Sequence, residues 1–246
     1  MERTYTASAI VLRGRNLGEA DRILTLFTKE HGKVDAVAKG VRRTKSHFAG
    51  RLQFMSEATL TLHRGRNLDV ITSAQTLRSH WTAIVEPSAF ATAHLLAEMV
   101  DAFCELDLAM PEIYDLLVGA IGALGQGPAP AELVPRFSLR LLHALGLAPP
   151  DAECVRCGAE LTGPAFVDVA AGGLVCERDR GPRNAIELDA DDLTNFRALG
   201  APRGGAIRPK TLATERAAQA VDALVTYHLG KRPRARALVD AFEEHS

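Results

Sequence analysis

The spacing of apolar residues changes near residue 80, and this change constrains the fold more than any other feature of the chain. Before it, apolar and polar residues alternate in five short runs, which is typical of half-buried β-strands: residues 7–12, 23–27, 33–37, 58–62 and 68–72. After it, apolar residues recur every three to four positions, as they do along one face of an α-helix. The sequence therefore predicts a small closed β-barrel followed by a helical region.

The spacing of apolar residues predicts four helices in the second part of the chain. The first follows Pro87, and the second begins at Pro111, because proline suits the first turn of a helix. A third runs from about Val134 to Gly146, since a glycine suits the C-terminal end of a helix. The fourth covers residues 211–229 and is expected to dock onto the earlier helices.

Positive charge is concentrated at the start of the chain, although the formal net charge of the whole is only −1. Residues 1–80 contain 14 lysines and arginines against seven acidic residues, which leaves +7, whereas residues 81–150 sum to −6 and residues 151–246 to −2. A polyanion would therefore be attracted to the predicted barrel.

The best candidate for contact with a polyanion is a stretch without a strand pattern, residues 39–51, which we call the basic segment. Its cations would follow a phosphate backbone, its glycines would allow close approach, and Phe48 would be available for stacking on a base. Such contacts bind single strands without reading their sequence. The alternative is a charged loop that only contacts solvent. The predicted DNA contacts are Lys39, Arg42, Arg43, Lys45 and Arg51 in the segment, and Arg15, Arg64 and Arg66 elsewhere on the barrel.

Three of the four cysteines lie in one short stretch, with a spacing typical of a zinc ribbon. Cys154 and Cys157 form a Cys-x-x-Cys turn followed by Gly158, and Cys176 begins a second pair whose last member is Asp179. Because a carboxylate oxygen can bind zinc, the sequence predicts a structural Zn²⁺ held by these two pairs. The alternative is a ribbon that has lost its metal and is held together by packing.

No catalytic motif is present, and we expect the chain not to be an enzyme. It lacks a phosphate-binding Walker loop, the His-x-Glu of zinc deaminases, the Gly-x-Ser-x-Gly elbow of hydrolases and the His-Glu-x-x-His of zinc proteases. Asp189, Asp191 and Asp192 are interpreted as the first turn of a helix, where acidic side chains are favoured. Cys104 lies on an apolar helical face and is predicted to be a buried thiol.

The start of the chain does not have the pattern of a signal peptide, and charges interrupt its longest apolar stretches. We therefore expect a cytoplasmic protein with no membrane contact.

Four stretches near the start of the chain resemble the N-terminal pattern of the bacterial RecO family. They are Gly18-Glu19-Ala20-Asp21-Arg22-Ile23-Leu24-Thr25-Leu26-Phe27-Thr28, Gly32-Lys33, Ala36-Val37-Ala38-Lys39-Gly40-Val41-Arg42-Arg43 and Gly50-Arg51-Leu52-Gln53. The order of the predicted parts is similar over essentially the whole chain, specifically so in the first 55 residues and at the cysteines. Asp179 departs from the four-cysteine version of the family's ribbon, which bears on metal occupancy and not on membership.

The resemblance implies an α+β multidomain fold. Its parts would be an N-terminal OB-fold β-barrel over residues 1–80, a helical domain over residues 81–150 and 186–246, and a zinc ribbon inserted at residues 151–185. It also implies a non-enzymatic recombination mediator in DNA repair, associated with the nucleoid when on DNA. Such a protein binds single- and double-stranded DNA, anneals complementary strands and, with RecR, helps load RecA onto DNA coated by single-stranded DNA-binding protein (SSB).

The resemblance also assigns roles to residues. The cations of the basic segment match the family's basic OB-domain segment by position. The SSB tail is acidic with an apolar end, so it would dock in a hydrophobic pocket rimmed by cations. The predicted contacts of the SSB tail are Arg136 and Arg140. They are the cations of the acidic region 81–150.

Two other functions are compatible with these residues. One is a zinc-ribbon module that acts mainly through proteins, with the barrel contacting RNA. The other is a metal-dependent hydrolase that uses Asp179 and nearby acidic residues. Cations later in the chain could extend a DNA path or only keep that region soluble: Arg203, Arg208, Lys210 and residues 231–236.

Overall fold

The structure, a computed structural model, describes residues 3–46, 48, 50–78, 84, 86–125, 129–181, 185–201 and 215–243. The chain divides into two compact units, residues 1–129 together with 233–246, and residues 130–232. In the described ranges, no helix is both long enough and apolar enough to cross a membrane.

The first unit begins with five strands that close into a barrel. They are β1 (Thr4–Leu17), β2 (Asp21–Thr28), β3 (Gly32–Ala38), β4 (Glu57–His63) and β5 (Asp69–Arg78). Their order is β1-β2-β3-β5-β4, and all neighbours are antiparallel except β3 and β5. The first half of β1 pairs with β4 and its second half with β2, which closes the sheet. The predicted barrel with OB-like topology is confirmed.

Alternation along these strands places one set of side chains inside the barrel, where they form a buried cluster. Leu26, Leu60 and Leu62 are fully buried there. This is why the sequence pattern predicts the strands well, because every second residue of a half-buried strand must be apolar. The barrel therefore has a core of its own.

Six described helices and three further strands follow the barrel. The helices are α1 (Pro87–Phe103), α2 (Pro111–Leu124), α3 (Leu133–Ala144), α4 (Ala190–Gly200), α5 (Glu215–Leu229) and α6 (Arg236–Glu243). The strands β6 (Ala165–Asp168), β7 (Gly173–Cys176) and β8 (Ile186–Leu188) form a separate sheet in the order β7-β6-β8. Together with the barrel, these elements confirm the predicted α+β fold.

Within the first unit, α1 contacts both β1 and α6. The Glu98 carboxylate of α1 accepts hydrogen bonds from the backbone N–H groups of Arg234, at 2.9 Å, and Ala235, at 2.7 Å, just before α6 begins. A carboxylate is favoured at this position by the helix dipole. The sequence pattern misses α6, because the cations that precede it resemble a solvated tail.

The second unit contains α3, α4 and α5, which contact one another, and the three-stranded sheet, whose β8 contacts α4 and α5. Asp189 caps α4, since its carboxylate accepts a hydrogen bond from the Asp192 N–H at 2.8 Å and Asp192 returns the interaction at 3.4 Å. The interpretation of the acidic cluster as a helix start is confirmed. The first residues of the helix predicted from residue 211 lie outside the described residues.

Candidate nucleic-acid interface and metal centre

The cations of the basic segment are exposed beside the turn between β1 and β2. Gly40 turns the chain just after β3 with a φ of 66°, and its N–H donates to the Asp21 carboxylate at 2.7 Å. The Arg42 N–H donates to the Ala20 carbonyl and its guanidinium to the Gly18 carbonyl, both at 3.0 Å. These bonds hold the segment against the turn. The exposed cations are Lys39, Arg42, Arg43, Lys45 and Arg51.

The cations of the barrel fall into two groups according to their carboxylate partners. Arg13 and Lys33 pair with Asp101 of α1, at 2.7 and 3.2 Å, and Lys29 pairs with Asp115 of α2 at 2.8 Å. These charges are neutralised within the first unit. In the second group, by contrast, no carboxylate of a described residue lies within 4.0 Å of the cation. This group includes Arg3, Arg15, Arg22, Lys39, Arg42, Arg43, Lys45, Arg64 and Arg66.

The structure separates two of the predicted DNA contacts from the rest. Arg15 is exposed near the end of β1, which leads into the turn beside the basic segment. Arg64 and Arg66 are exposed in the turn between β4 and β5, beside the start of β1, where Thr4 pairs with His63. The Arg64 guanidinium lies 4.7 Å from the centre of the Tyr5 ring, as in a cation–π contact. The roles of these cations stay predictions.

Phe48 does not have the position that the sequence predicts. Its side chain is 2% exposed and belongs to the buried cluster of the barrel, and the Arg51 N–H donates to its carbonyl at 3.0 Å. Burial of a phenylalanine side chain contributes about 1.5–3 kcal/mol, so its polar neighbours do not keep it at the surface. The prediction that Phe48 stacks on a base is wrong. The residue instead anchors the basic segment to the barrel core.

The predicted metal ligands converge in the second unit. Gly158, with a φ of 71°, closes the first turn by donating its N–H to the Cys154 carbonyl at 2.8 Å. Cys176 ends β7, and Asp179 ends the 3₁₀ turn that follows it. One ligand atom from each of Cys154, Cys157, Cys176 and Asp179 lies within 4.8 Å of the other three.

The spacing of these ligand atoms fits a tetrahedral ion. The Cys157 and Cys176 sulfurs are 3.7 Å apart, and the Asp179 Oδ2 lies 3.4 Å from the Cys154 sulfur and 3.5 Å from the Cys176 sulfur. Four ligands at about 2.0–2.3 Å from a zinc ion are separated from one another by about 3.3–3.8 Å. The cluster can therefore hold a metal ion, as the sequence predicts, with a carboxylate in place of the fourth thiolate.

Hydrogen bonds from the Cys157 and Cys154 thiols hold the pKa of Asp179 below its usual range, so this carboxyl is ionised at neutral pH. The hydrogen bond to Asp179 also raises the pKa of Cys157 to about 11. Cys104 lies outside the cluster and is 3% exposed, and burial raises its pKa to about 11. The prediction that Cys104 is an unreactive core thiol agrees with this position.

Arg136 and Arg140 are half-buried on α3. The Arg136 guanidinium donates to the carbonyls of Ala198, at 3.2 Å, and Ala201, at 3.3 Å, at the C-terminal end of α4. A cation is favoured there by the unpaired carbonyls and by the helix dipole. Arg136 thus joins two helices of the second unit, and its contact with a partner stays a prediction. Arg203, Arg208 and Lys210 lie outside the described residues.

An aromatic cluster in the first unit escapes sequence analysis. The Phe54 ring stacks on the His94 ring with centroids 4.1 Å apart, and Phe90 lies edge-on to His94 at 4.5 Å. Phe54 belongs to the loop before β4, whereas the other two belong to α1. No local sequence pattern connects a loop to a later helix, so only the fold reveals the cluster.

The described geometry agrees with the comparison to known families. Residues 1–80 match the family model described as Recombination protein O N terminal, and residues 86–237 match the model described as Recombination protein O C terminal. The chain belongs to the RecO family.

Relatives named DNA repair protein RecO are similar to most of the chain. The RecO protein of Bifidobacterium longum subspecies infantis is 39% identical over 198 residues, which cover 79% of this chain and 82% of the relative. The RecO protein of Cutibacterium acnes is 41% identical over 180 residues, which cover 70% and 73%. The chain is therefore a DNA repair protein of the RecO family.

Proposed function

We propose that this protein is a non-enzymatic recombination mediator. It binds single- and double-stranded DNA, anneals complementary strands and, together with RecR, helps load RecA onto DNA coated with SSB. Residues 1–80 are the main DNA-binding domain. The observation that carries the proposal is a group of exposed cations at and beside the β1–β2 turn, which have no carboxylate within 4.0 Å among the described residues: Arg15, Lys39, Arg42, Arg43 and Lys45.

Binding through such cations explains annealing without catalysis. Cations that are not neutralised by the protein can replace the counterions of a phosphate backbone, which makes binding strong at low salt and independent of sequence. They also reduce the repulsion between two strands, while the base edges stay free to pair. No covalent step is needed.

The partners follow from the family and from charge. The SSB tail, which is acidic with an apolar end, docks near Arg136 and Arg140, and RecR binding brings RecA to the DNA indirectly. The protein acts in the cytoplasm and is associated with the nucleoid when it is bound to DNA.

The metal in the second unit is Zn²⁺ with a structural role. Cys154, Cys157, Cys176 and Asp179 would hold it, and the ion would contribute free energy of folding to a small sheet. Four protein ligands leave no open position for a water molecule, which supports a structural role over a hydrolytic one.

The proposal is tested by reversing three charges together, Arg42→Glu, Arg43→Glu and Lys45→Glu. Single-strand affinity falls steeply, and the salt dependence of log Kd becomes shallower by about two, since each phosphate contact contributes about 0.7. Arg216→Glu on α5 is the control, because it removes an exposed cation from the second unit. Binding is measured by fluorescence anisotropy of a labelled oligonucleotide across a salt series.

A strand-annealing assay with two complementary oligonucleotides, repeated after chelation, separates the other functions. Annealing that persists without metal agrees with the proposal, whereas metal-dependent cleavage products would identify a hydrolase. A triple variant that binds and anneals like the unmodified protein would contradict the assignment of the basic segment.

A further inference from the structure

A cavity of about 350 Å³ lies between the barrel and α1 in the first unit. Its apolar floor includes Val11, Leu24 and Leu52, which belong to the barrel core. Gly14 also borders it, and a Cβ there would lie 2.8 Å from a methyl carbon of Leu24, so a side chain would crowd this space. The cavity is near the lower end of the range for small-ligand pockets, about 300–1,000 Å³.

The three aromatic rings of the cluster line the same cavity. Phe90 is 39% exposed although it is a large apolar side chain, and Phe54 and His94 are half-buried. Burial lowers the pKa of His94, so its ring is neutral at neutral pH, and it covers one face of the Phe54 ring. Exposed, pre-stacked rings of this kind accept another planar ring at little cost in conformational entropy.

Two cations and one amide complete the lining. Arg13 and Arg22 border the cavity, and Gln53 brings an amide that can donate to and accept from the edge of a base. Arg22 directly follows Asp21, whose carboxylate accepts the Gly40 N–H and so holds the basic segment in place. One edge of the cavity, at Arg22, is therefore next in sequence to the residue that holds the basic segment.

The loop that presents Gln53 and Phe54 is held firmly. The Ser56 hydroxyl is within hydrogen-bond distance of the Arg51 carbonyl at 3.1 Å and the Gln53 carbonyl at 2.6 Å, and the Met55 N–H donates to the Val11 carbonyl at 2.9 Å. Met55 is fully buried with a φ of 57°, a conformation that costs energy in a residue other than glycine. Such strain persists only where the surroundings enforce one geometry.

We propose that this cavity receives one unpaired nucleobase of single-stranded DNA, which stacks on the Phe54–Phe90–His94 cluster while Arg22 faces the adjoining phosphates. The inference rests on the proposed function and adds a second kind of contact to it. Cations of the basic segment bind any strand, paired or unpaired. The cavity distinguishes the two, because a base inside a duplex is not free to enter it.

The test is the double variant Phe54→Leu with Phe90→Leu, which keeps apolar bulk but removes two rings. Binding to a single-stranded oligonucleotide weakens about ten- to hundredfold, as expected for loss of base stacking, and the salt slope is unchanged. Binding to a duplex of the same length stays within about twofold. Phe242→Leu is the control, since Phe242 is 38% exposed on α6 and does not line the cavity.

An abasic oligonucleotide, which has the sugar-phosphate backbone but no bases, makes the test independent of small changes in folding. Both strands are compared on the same protein sample. The unmodified protein prefers a normal single strand over an abasic strand of equal length, and the double variant loses this preference. If the double variant is not folded, Phe90→Leu alone gives the same comparison at an exposed position. A 2-aminopurine base in the oligonucleotide loses fluorescence on binding only when the rings are present.

Failure of this inference is distinct from failure of the proposed function. If the variant keeps the full preference for base-bearing strands, or weakens duplex and single-strand binding equally, the cavity does not receive a base. The same holds if the double variant changes only the oligomeric state measured by light scattering. If the unmodified protein binds no DNA at low salt, both proposals are overturned. If the triple charge reversal weakens binding but the double variant does not, the proposed function stands and the base-binding cavity is overturned.

Discussion

The barrel and the first cysteine turn bury very different amounts of apolar surface. Every strand of the barrel contributes to its buried cluster, and Phe48 and Leu52 add to it from the adjoining loop. In residues 151–161, by contrast, only Cys154 and Leu161 are buried. The barrel can therefore change its surface without losing its shape, whereas the cysteine turn depends on the four ligand atoms.

The largest expected effect comes from removing a metal ligand, which tests whether the cysteine turn depends on the ion. Cys176→Ser removes one of four ligands, so metal affinity falls more than about 100-fold, because even outer partners of a ligand contribute 10- to 100-fold. Metal content by mass spectrometry and hydrogen exchange measure the result. Amide protection is lost in residues 151–161 and kept in residues 4–78.

Cys104→Ala is the matched control for that experiment, since it removes a thiol that lies outside the cluster. It leaves the metal content unchanged. Full metal occupancy in Cys176→Ser, or equal loss of protection in both regions, would contradict the difference between the barrel and the cysteine turn.

The next effect concerns the anchor of the basic segment. Phe48→Ala lowers the free energy of unfolding by about 3–5 kcal/mol, the usual cost of removing a buried phenylalanine. Chemical denaturation measures it, with Leu77→Ala as the control at a 49% exposed position on the barrel. Phe48→Ala with unchanged stability but lost DNA binding would restore the stacking role that the sequence predicts.

The smallest effect is electrostatic and depends on pH. Glu86 caps α1, and hydrogen bonds from Ser88 and Ala89 hold the pKa of this carboxyl below its usual range. The folded protein therefore gains stability from the ionised form above the unfolded pKa, and this gain is lost as the pH falls through the folded pKa. Because Glu86 is exposed, Glu86→Gln costs about 0.5 kcal/mol at pH 7.

Thermal unfolding at pH 7 and at pH 3 checks this expectation. The melting temperatures of the variant and the unmodified protein differ at pH 7 and converge at pH 3. A difference of equal size at both pH values would mean that the amide side chain of the variant destabilises the helix start for reasons other than charge.

Local sequence patterns predict those parts of the molecule whose structure is determined by residues adjacent in sequence. The alternation of the barrel strands, the start of α2 at Pro111 and the cap at Asp189 each follow from a few adjacent residues. The spacing of the cysteines likewise indicates a metal cluster, because two short turns can bring four ligands together whatever the rest of the chain does.

What the sequence does not predict depends on distant contacts. Phe48 lies among polar residues, yet the interior of the barrel receives it. Phe54 meets His94 only because α1 lies against the barrel. The ion pairs of Arg13 and Lys33 with Asp101 are another such case, and they decide which cations stay available to a ligand.

The contact between α1 and α6 has a consequence for synthesis of the protein. Glu98 emerges from the ribosome long before Arg234 and Ala235. In the folded protein its carboxylate accepts hydrogen bonds from the backbone N–H groups of these two residues. The barrel can form as soon as its own strands are made, but the first unit is complete only when almost the whole chain has been translated. Contacts that span so much of the chain slow the last stage of folding, so a nascent chain that still lacks α6 would have a barrel whose α1 has not yet gained its contacts with α6.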